Sequence, residues 1–331
     1  MTGIVEIRPD GPEESFQAWC DVLYASAVHD LGELHSARTP EERRVLLRDP
    51  ARRTVALAVH DDAGRLVGAA SLAMPLHDNL RLGVLVLAVH PDHRGRGHGR
   101  ALLRRAEEVQ RDAGRDLLVA ETVWVAGSED VHGGFARRFG YAPAQTNLRS
   151  SLQLPLDRDR LATVLADHDG DGYVLRTALG GIPDEWVAAR ALLGRRMSTD
   201  VPLGDLQLEE EDWDEERVRQ DYARIAAAGR TAVDTFAFAA DGSVAGYTQT
   251  TITSDPSVVY QQDTLVLREH RGHRLGLRMK AANTLALVEH LPGPASVRTW
   301  NAEENAPMLA VNRELGYAED AAMREWQKEL R

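Results

Sequence analysis

Two stretches of this chain, "LRLGVLVLAVHPDHRGRGHGRALLRRAEEV" at 80–109 and "VVYQQDTLVLREHRGHRLGLRMKAANTLAL" at 258–287, carry the same order of signals. Each opens on aliphatic and β-branched residues, Val84 to Val89 and Val258 to Val266. Each then passes through a glycine–arginine turn into residues apolar at helical spacing. The likeness extends further, because "GGFARRFGYAP" follows the first stretch and "PMLAVNRELGYAE" the second. Arg94 stands 46 positions before Gly140 and Arg271 stands 45 before Gly316, so an offset of about 177 residues is kept at both landmarks. A duplicated unit explains this better than two similar turns. The 331 residues suffice for two domains that each bury a core.

Within each copy the spacing predicts a strand, a helix at Gly99–Ala113 or Leu275–Glu289, a second strand in "DLLVAETVW" or "ASVRTW", and a further helix. That last helix ends at the Phe139-Gly140-Tyr141 or Leu315-Gly316-Tyr317 corner. "VEIRP" and "YVLRT" match as opening strands. Helices are expected at Glu13–Asp30 and Pro40–Asp49 in the first copy, and at Pro183–Arg195 and Asp214–Ala228 in the second. Strands alternating with helices place the chain in the α/β class with mixed sheet order. The expected domains are 1–155 and 173–331, joined by a linker, 156–172, that holds a connecting helix.

A strand that ends in a glycine-rich turn and opens a helix presents backbone N–H groups without intrahelical partners, and the helix dipole adds positive charge. That is an anion site. Glycines let the backbone approach a phosphate, and Arg94 and Arg96 add charge-assisted donors. The net charge of −12 disfavours general nucleic-acid binding, which relies on neutralising many phosphates, and leaves a small anionic ligand. No apolar run is long enough to span a membrane and no signal-peptide layout opens the chain, so a cytoplasmic protein is expected. Cys20, the only cysteine, excludes an internal disulfide and a thiolate zinc cluster. Core packing is its expected role.

"V-H-P-D-H-R-G-R-G-H-G" resembles the acetyl-CoA signature of the GNAT acyltransferase superfamily, with Arg94, Gly97 and Gly99 in the three defining places. The resemblance covers nearly all of both halves. It implies two tandem GNAT-like domains of the α/β (α+β) class, each a mixed, mostly antiparallel twisted sheet flanked by helices. It implies acetyl-CoA as cosubstrate, no metal, and direct attack by an amine acceptor. Val89, Arg94, Gly95, Arg96, Gly97, His98 and Gly99 are the implied cofactor residues of the first domain. Val266, Arg271, Gly272, His273, Arg274, Gly276 and Asn305 are those of the second. Arg274 stands where the middle glycine belongs. It would either crowd the pyrophosphate or donate to it, and as a residue entering a helix it is expected to need no positive φ.

In "WNAEENAPMLAVNRELGY", Asn305, Met308 and Asn312 fall on the Asn, Ala and Tyr places of the family's later helix; the first half has Glu129, His132 and Ala136 there. The family's general-acid tyrosine is therefore replaced by Asn312 and Ala136. Protonation of the CoA thiolate stays open between water, another residue such as Tyr260, and none. Among acids, Asp263 in "QQDTLV" is a general-base candidate or a structural acid at a bulge, and Glu121 is the first domain's comparable candidate. The second domain is favoured as catalytic. The alternative is an acyl-CoA sensor without catalysis. "EEEDWDEER" at Glu209–Arg217 would attract a cationic amine, although acids before a helix also serve its dipole. "DHDGDG", Asp167–Gly172, imitates half of a calcium loop but has Ala178 at the closing position and reads as a linker turn.

Overall fold

The computed structural model describes residues 3–156, 158–166 and 171–330. In chain order its elements are β1 (Ile4–Ile7), α1 (Glu13–Leu31), α2 (Pro40–Leu47), β2 (Arg52–His60), β3 (Leu66–Pro75), β4 (Leu82–Val89), α3 (His98–Asp112), β5 (Leu117–Val125), α4 (Gly133–Arg138) and β6 (Ala142–Leu154). Then come α5 (Arg158–Ala166), β7 (Val174–Leu179), α6 (Asp184–Asp200), α7 (Glu215–Ala227), β8 (Thr231–Phe238), β9 (Val244–Ile252), β10 (Val258–Val266), α8 (Leu275–Val288), β11 (Ala295–Ala302), α9 (Ala306–Leu315) and β12 (Ala318–Glu329).

The predicted helices and opening strands lie within a few residues of these. Local chemistry explains several. Thr39 and Glu42 exchange side-chain-to-backbone bonds in a capping box that starts α2. Asp214 caps α7. Along α3, Leu102, Leu103, Ala106 and Val109 are buried while Arg104, Arg105 and Glu108 are exposed, so one face packs and the other is solvated.

Two compact units result, and their composition corrects the expected division at 1–155, 156–172 and 173–331. The first unit is Met1–Asn147, Leu203–Glu209 and Ala321–Arg331; the second is Leu148–Pro202 and Glu210–Asp320. In the first, the strand order is β1-β2-β3-β4-β5-β12. β1 to β4 pair antiparallel, β4 and β5 pair parallel, and residues 321–329 of β12 run antiparallel to β5. In the second, the order is β6-β11-β10-β9-β8-β7, with β7 to β10 pairing antiparallel and β10 parallel to β11. The free edge of β5 offers N–H and C=O groups to any strand that reaches it, and the chain's last strand does so.

Side chains hold that strand in the first unit. Trp326, fully buried, donates to Thr122 Oγ1 at 2.8 Å, and Lys328 Nζ reaches Glu107 at 2.6 Å. Leu206 and Leu208 pack with Leu82, Leu117 and Val119 in the same unit. Conversely, Leu152 and Leu154 of β6 and Leu161 of α5 join the core of the second unit with Val259, Leu277 and Val297. The helix expected in the linker is thus part of that unit's core. Residues 167–170 of the linker turn lie outside the described residues; Asp171 beside them is ion-paired with Arg278 at 2.7 Å. Cys20 is buried among Phe16, Trp19 and Leu23, where burial pushes its thiol up to about 11.

Candidate active site

The parallel strand pair of each unit opens into a wedge. β4 pairs with β5 from Leu82/Leu117 to Leu85/Ala120, although the strands run on to Val89 and Val125. β10 pairs with β11 from Val258/Ser296 to Tyr260/Arg298, and they run on to Val266 and Ala302. Past the last pair, the facing backbone groups have lost their ladder partners and are open to an extended ligand carrying amides.

A turn lies at the mouth of each wedge, and the two turns share a backbone. Gly95 and Gly97 have φ of 77° and 90°; Gly272 and Arg274 have 89° and 54°. The expectation that Arg274 needs no positive φ is therefore wrong. As N-cap of α8 it adopts the left-handed conformation of Gly97, at a cost of about 1–2 kcal/mol for an L-residue. Its guanidinium turns away to pair with Glu314.

In α3 the first intrahelical bond runs from Ala101 to Gly97, and in α8 from Arg278 to Arg274. The N–H groups of His98, Gly99 and Arg100, and of Leu275, Gly276 and Leu277, therefore have no intrahelical acceptor, and neither helix has a side-chain cap. A Cβ added at Gly95, Gly97 or Gly272 would meet nothing within 4 Å, so space stands open beside these turns. Beside α3 a depression of about 340 Å³ is lined by Arg96, Arg100, Arg104 and Arg105 among others. Both turns fit a diphosphate, and both wedges fit an amide-bearing arm.

Arg94 and Arg271 do not extend towards such a ligand. Each returns its Nε to the carbonyl at the end of its strand, Val89 at 3.2 Å and Val266 at 3.1 Å. Each also meets an acid from the last turn of the matching helix of its copy: Arg94 binds Asp30 of α1 at 2.7 Å, and Arg271 lies 3.7 Å from Asp200 of α6. Burial alone would raise Asp30, but hydrogen bonds from His132 and Arg94 outweigh it and hold the carboxyl well below its usual range. These arginines brace the turn, whereas Arg96 is exposed and has no ion pair among the described residues.

The acids differ between units. A bulge between Gln261 and Thr264 of β10 interrupts its register with β9 and carries Asp263; β4 has no such break against β3. Tyr247 donates to Asp263 Oδ2 at 2.6 Å, and Arg190 of α6, itself buried between Trp213 and Tyr247, stands 3.7 Å from the same oxygen. Oδ1 has no partner among the described residues, and the side chain is 39% exposed. In the first unit, Glu121 is the first residue of β5 past the paired stretch, directly opposite Glu325 of β12. Burial and the neighbouring Glu121 push Glu325 up to about 7, and its Oε2 is buried without a partner among the described residues.

Comparison with known proteins decides the family. The acetyltransferase (GNAT) family profile matches residues 17–141. A mycothiol acetyltransferase of Saccharomonospora viridis is 31% identical over 274 residues, 77% of each chain. One of Pseudarthrobacter chlorophenolicus is 28% identical over 262 residues, 75% of this chain and 71% of that one. A solved tandem GNAT protein from the clavulanic acid biosynthesis pathway superposes with a TM-score of 0.82 at 30% identity, covering 99% of this chain and 98% of that one. The chain belongs to the GNAT acetyltransferase family. It is an N-acetyltransferase with a tandem arrangement, and enzymes of this family use acetyl-CoA and an amine acceptor.

Several residues expected in this GNAT site are otherwise engaged. Asn305 accepts from Met308 N as the N-cap of α9. Asn312, only 1% exposed, is bonded to Lys280 and Asn301. Tyr260 lies where β10 and β11 still pair, short of the wedge. His273 packs against Tyr173, and His98 is buried at the start of α3. The acids of "EEEDWDEER" serve α7: Asp214 caps it, Glu211 pairs with Arg217 at 3.0 Å and Glu215 with Arg219 at 3.2 Å.

Sequence reasoning missed Asp30, Asp200, Lys280 and Glu325. The first two had a signal, an aspartate in the last turn of the matching helix of each copy. Glu325 had none, since it reaches Glu121 through a strand 204 positions later. Among the described residues no helix is long and apolar enough to cross a membrane, and no group of three metal-ligating side chains is found.

Proposed function

We propose that this enzyme transfers the acetyl group of acetyl-CoA to an amine of a small molecule, by direct attack with both substrates bound, and that the wedges and turns of both units hold acetyl-CoA. The observation that carries the reading is the shared turn backbone, left-handed at Gly95/Gly97 and at Gly272/Arg274, beside unpaired helix N–H groups. Val89 to Gly99 and Val266 to Gly276 frame the two diphosphate sites, and Arg96 adds a charge in the first. Bound acetyl-CoA supplies the acetyl group activated as a thioester.

In the second unit Asp263 is the base. Tyr247 fixes one carboxylate oxygen and leaves Oδ1 to take a proton from the incoming ammonium, so that the neutral amine attacks. The opposed carboxylates of Glu121 and Glu325 favour a second reading, in which the first unit acts as well. One of two facing carboxylates retains a proton until near neutral pH, and on losing it becomes a base suited to an alkylammonium. The relatives' name puts the amine acceptor of the mycothiol acetyltransferases first in a substrate panel.

Turnover of acetyl-CoA with a panel of amines tests the reading. Asp263→Asn is expected to abolish the second unit's share of turnover and Glu121→Gln the first unit's. Full activity in both single variants and in the pair would refute both assignments.

A further inference from the structure

Lys280, in α8 of the second unit, is 1% exposed. Its Nζ donates to Asn312 Oδ1 at 2.5 Å and lies 4.9 Å from the centre of the Tyr317 ring; no carboxylate pairs with it among the described residues. Asn312 Nδ2 in turn donates to Asn301 Oδ1 at 2.7 Å. Asn301 is half-buried and sits on β11 past Arg298, the last residue paired with β10, so it belongs to the open stretch of the wedge.

The direction of this chain follows from donor and acceptor inventories. An ammonium has three donors and no acceptor, so Asn312 must turn its carbonyl to Lys280 and its amino group to Asn301. Asn301 then accepts with its carbonyl, and its own amino group is left as a donor. The first copy has no such chain. Leu103 and Ala136, nine residues after Arg94 and four before Gly140, stand where Lys280 and Asn312 stand relative to Arg271 and Gly316, and both pack in its hydrophobic core. An apolar residue therefore suits this place in the fold, whereas a buried ammonium without a counter-ion costs stability.

We infer that Lys280 is a positioning residue for acetyl transfer in the second unit: it sets the direction of the Asn312–Asn301 amide chain so that Asn301 presents an N–H donor to a carbonyl oxygen of the acetyl-CoA arm. This rests on the reading that this wedge holds acetyl-CoA. Burial alone pulls Lys280 down to about 7, and Tyr317, the titratable side chain in contact with it, is held neutral by burial well above its usual range. Above that pH the amine can also accept, and the direction of the chain is no longer imposed.

The experiment is calorimetric titration of the full chain with acetyl-CoA from pH 6 to 9, with the second unit's site defined as the one lost in Gly276→Glu. Wild-type affinity at that site is expected to fall about fivefold across the range, the scale of one hydrogen bond. Lys280→Met is expected to hold the weaker, flat affinity at all pH values while its Tm stays or rises. Asn301→Leu, at a half-buried position that tolerates change, should match it, and the double variant should lose no more than either single one. Wild-type affinity and pH profile in both single variants, or a loss in Lys280→Met alone accompanied by a lower Tm, would overturn the inference. If Gly276→Glu removes no site, the reading of this wedge fails first and the inference falls with it.

Discussion

The two units carry the same strand, turn and helix, yet each relaxes the pattern in a different place. The first keeps glycine at the left-handed helix entry, but its motif strand has no bulge and its α3–α4 contact is apolar. The second puts arginine at that entry, and adds a bulge with Asp263 and a buried lysine against α9. Backbone geometry is common to both, whereas side-chain chemistry has diverged. The diphosphate turn acts through N–H groups, which any residue supplies if its φ is met. A base or an oriented donor needs a particular side chain.

The largest effects should come from the turns. Gly97→Glu and Gly276→Glu each place a carboxylate where a diphosphate would lie, and each is expected to remove one of two acetyl-CoA sites, weakening it by about a hundredfold or more. One site in the wild-type chain, lost only with Gly97→Glu, would mean that Arg274 has cost the second unit its ligand.

Next in size is the base. Asp263→Asn should lower turnover in the second unit by roughly 10²- to 10⁴-fold with little change in acetyl-CoA affinity. A matching loss in Glu121→Gln but not Asp263→Asn would move catalysis to the first unit.

The carboxylate pair predicts a smaller, pH-linked effect. Because Glu325 is raised to about 7, the folded state holds its proton more tightly than the unfolded chain does. That contribution to stability is complete below about pH 4.5 and is lost as pH rises through 7. Denaturant titrations should show wild type losing about 1–2 kcal/mol over this window relative to Glu325→Gln, after allowance for partial solvation. Equal slopes in the two proteins would show that the carboxylates do not sense each other.

The smallest expected effect sharpens the comparison of the turns. Arg274→Gly relieves a left-handed arginine but adds backbone freedom to the unfolded chain and loses the Glu314 pair, for a net gain of about 0.5–1 kcal/mol. Its acetyl-CoA affinity should stay within about twofold of wild type, since the N–H groups are unchanged. A large gain in affinity would show that the arginine side chain obstructs the site.

Much of the candidate site was legible where its causes are local. Gly95, Gly97 and Gly272 announced a turn into a helix because few other residues tolerate such backbone, and the repeat made each copy a check on the other. Asp263 was legible as an acid on the motif strand, but not as one held by Tyr247 and Arg190, which come from the neighbouring strand and helix. Arg94 was legible as a cation beside the turn but its bond to Asp30 was not, because a charged residue beside a glycine turn looks the same in sequence whether it faces out or binds an acid. Lys280 falls in the apolar stripe of α8, where only the packed neighbours distinguish a buried lysine from one that reaches solvent.

The sequence by itself determined the duplication, the main order of elements in each copy and the backbone of the first turn, all of which follow from residue pattern and from steric limits on φ within a few positions. Only the tertiary structure decided which strand completes which unit. Neither 142–154 nor 318–329 alternates apolar with polar residues, so no pattern in either segment announces a strand or the face it buries. The N–H and C=O groups that join a strand to its neighbour are the same at every residue, so no local pattern names the partner. That choice gave β5 the last strand of the chain and set Glu325 opposite Glu121.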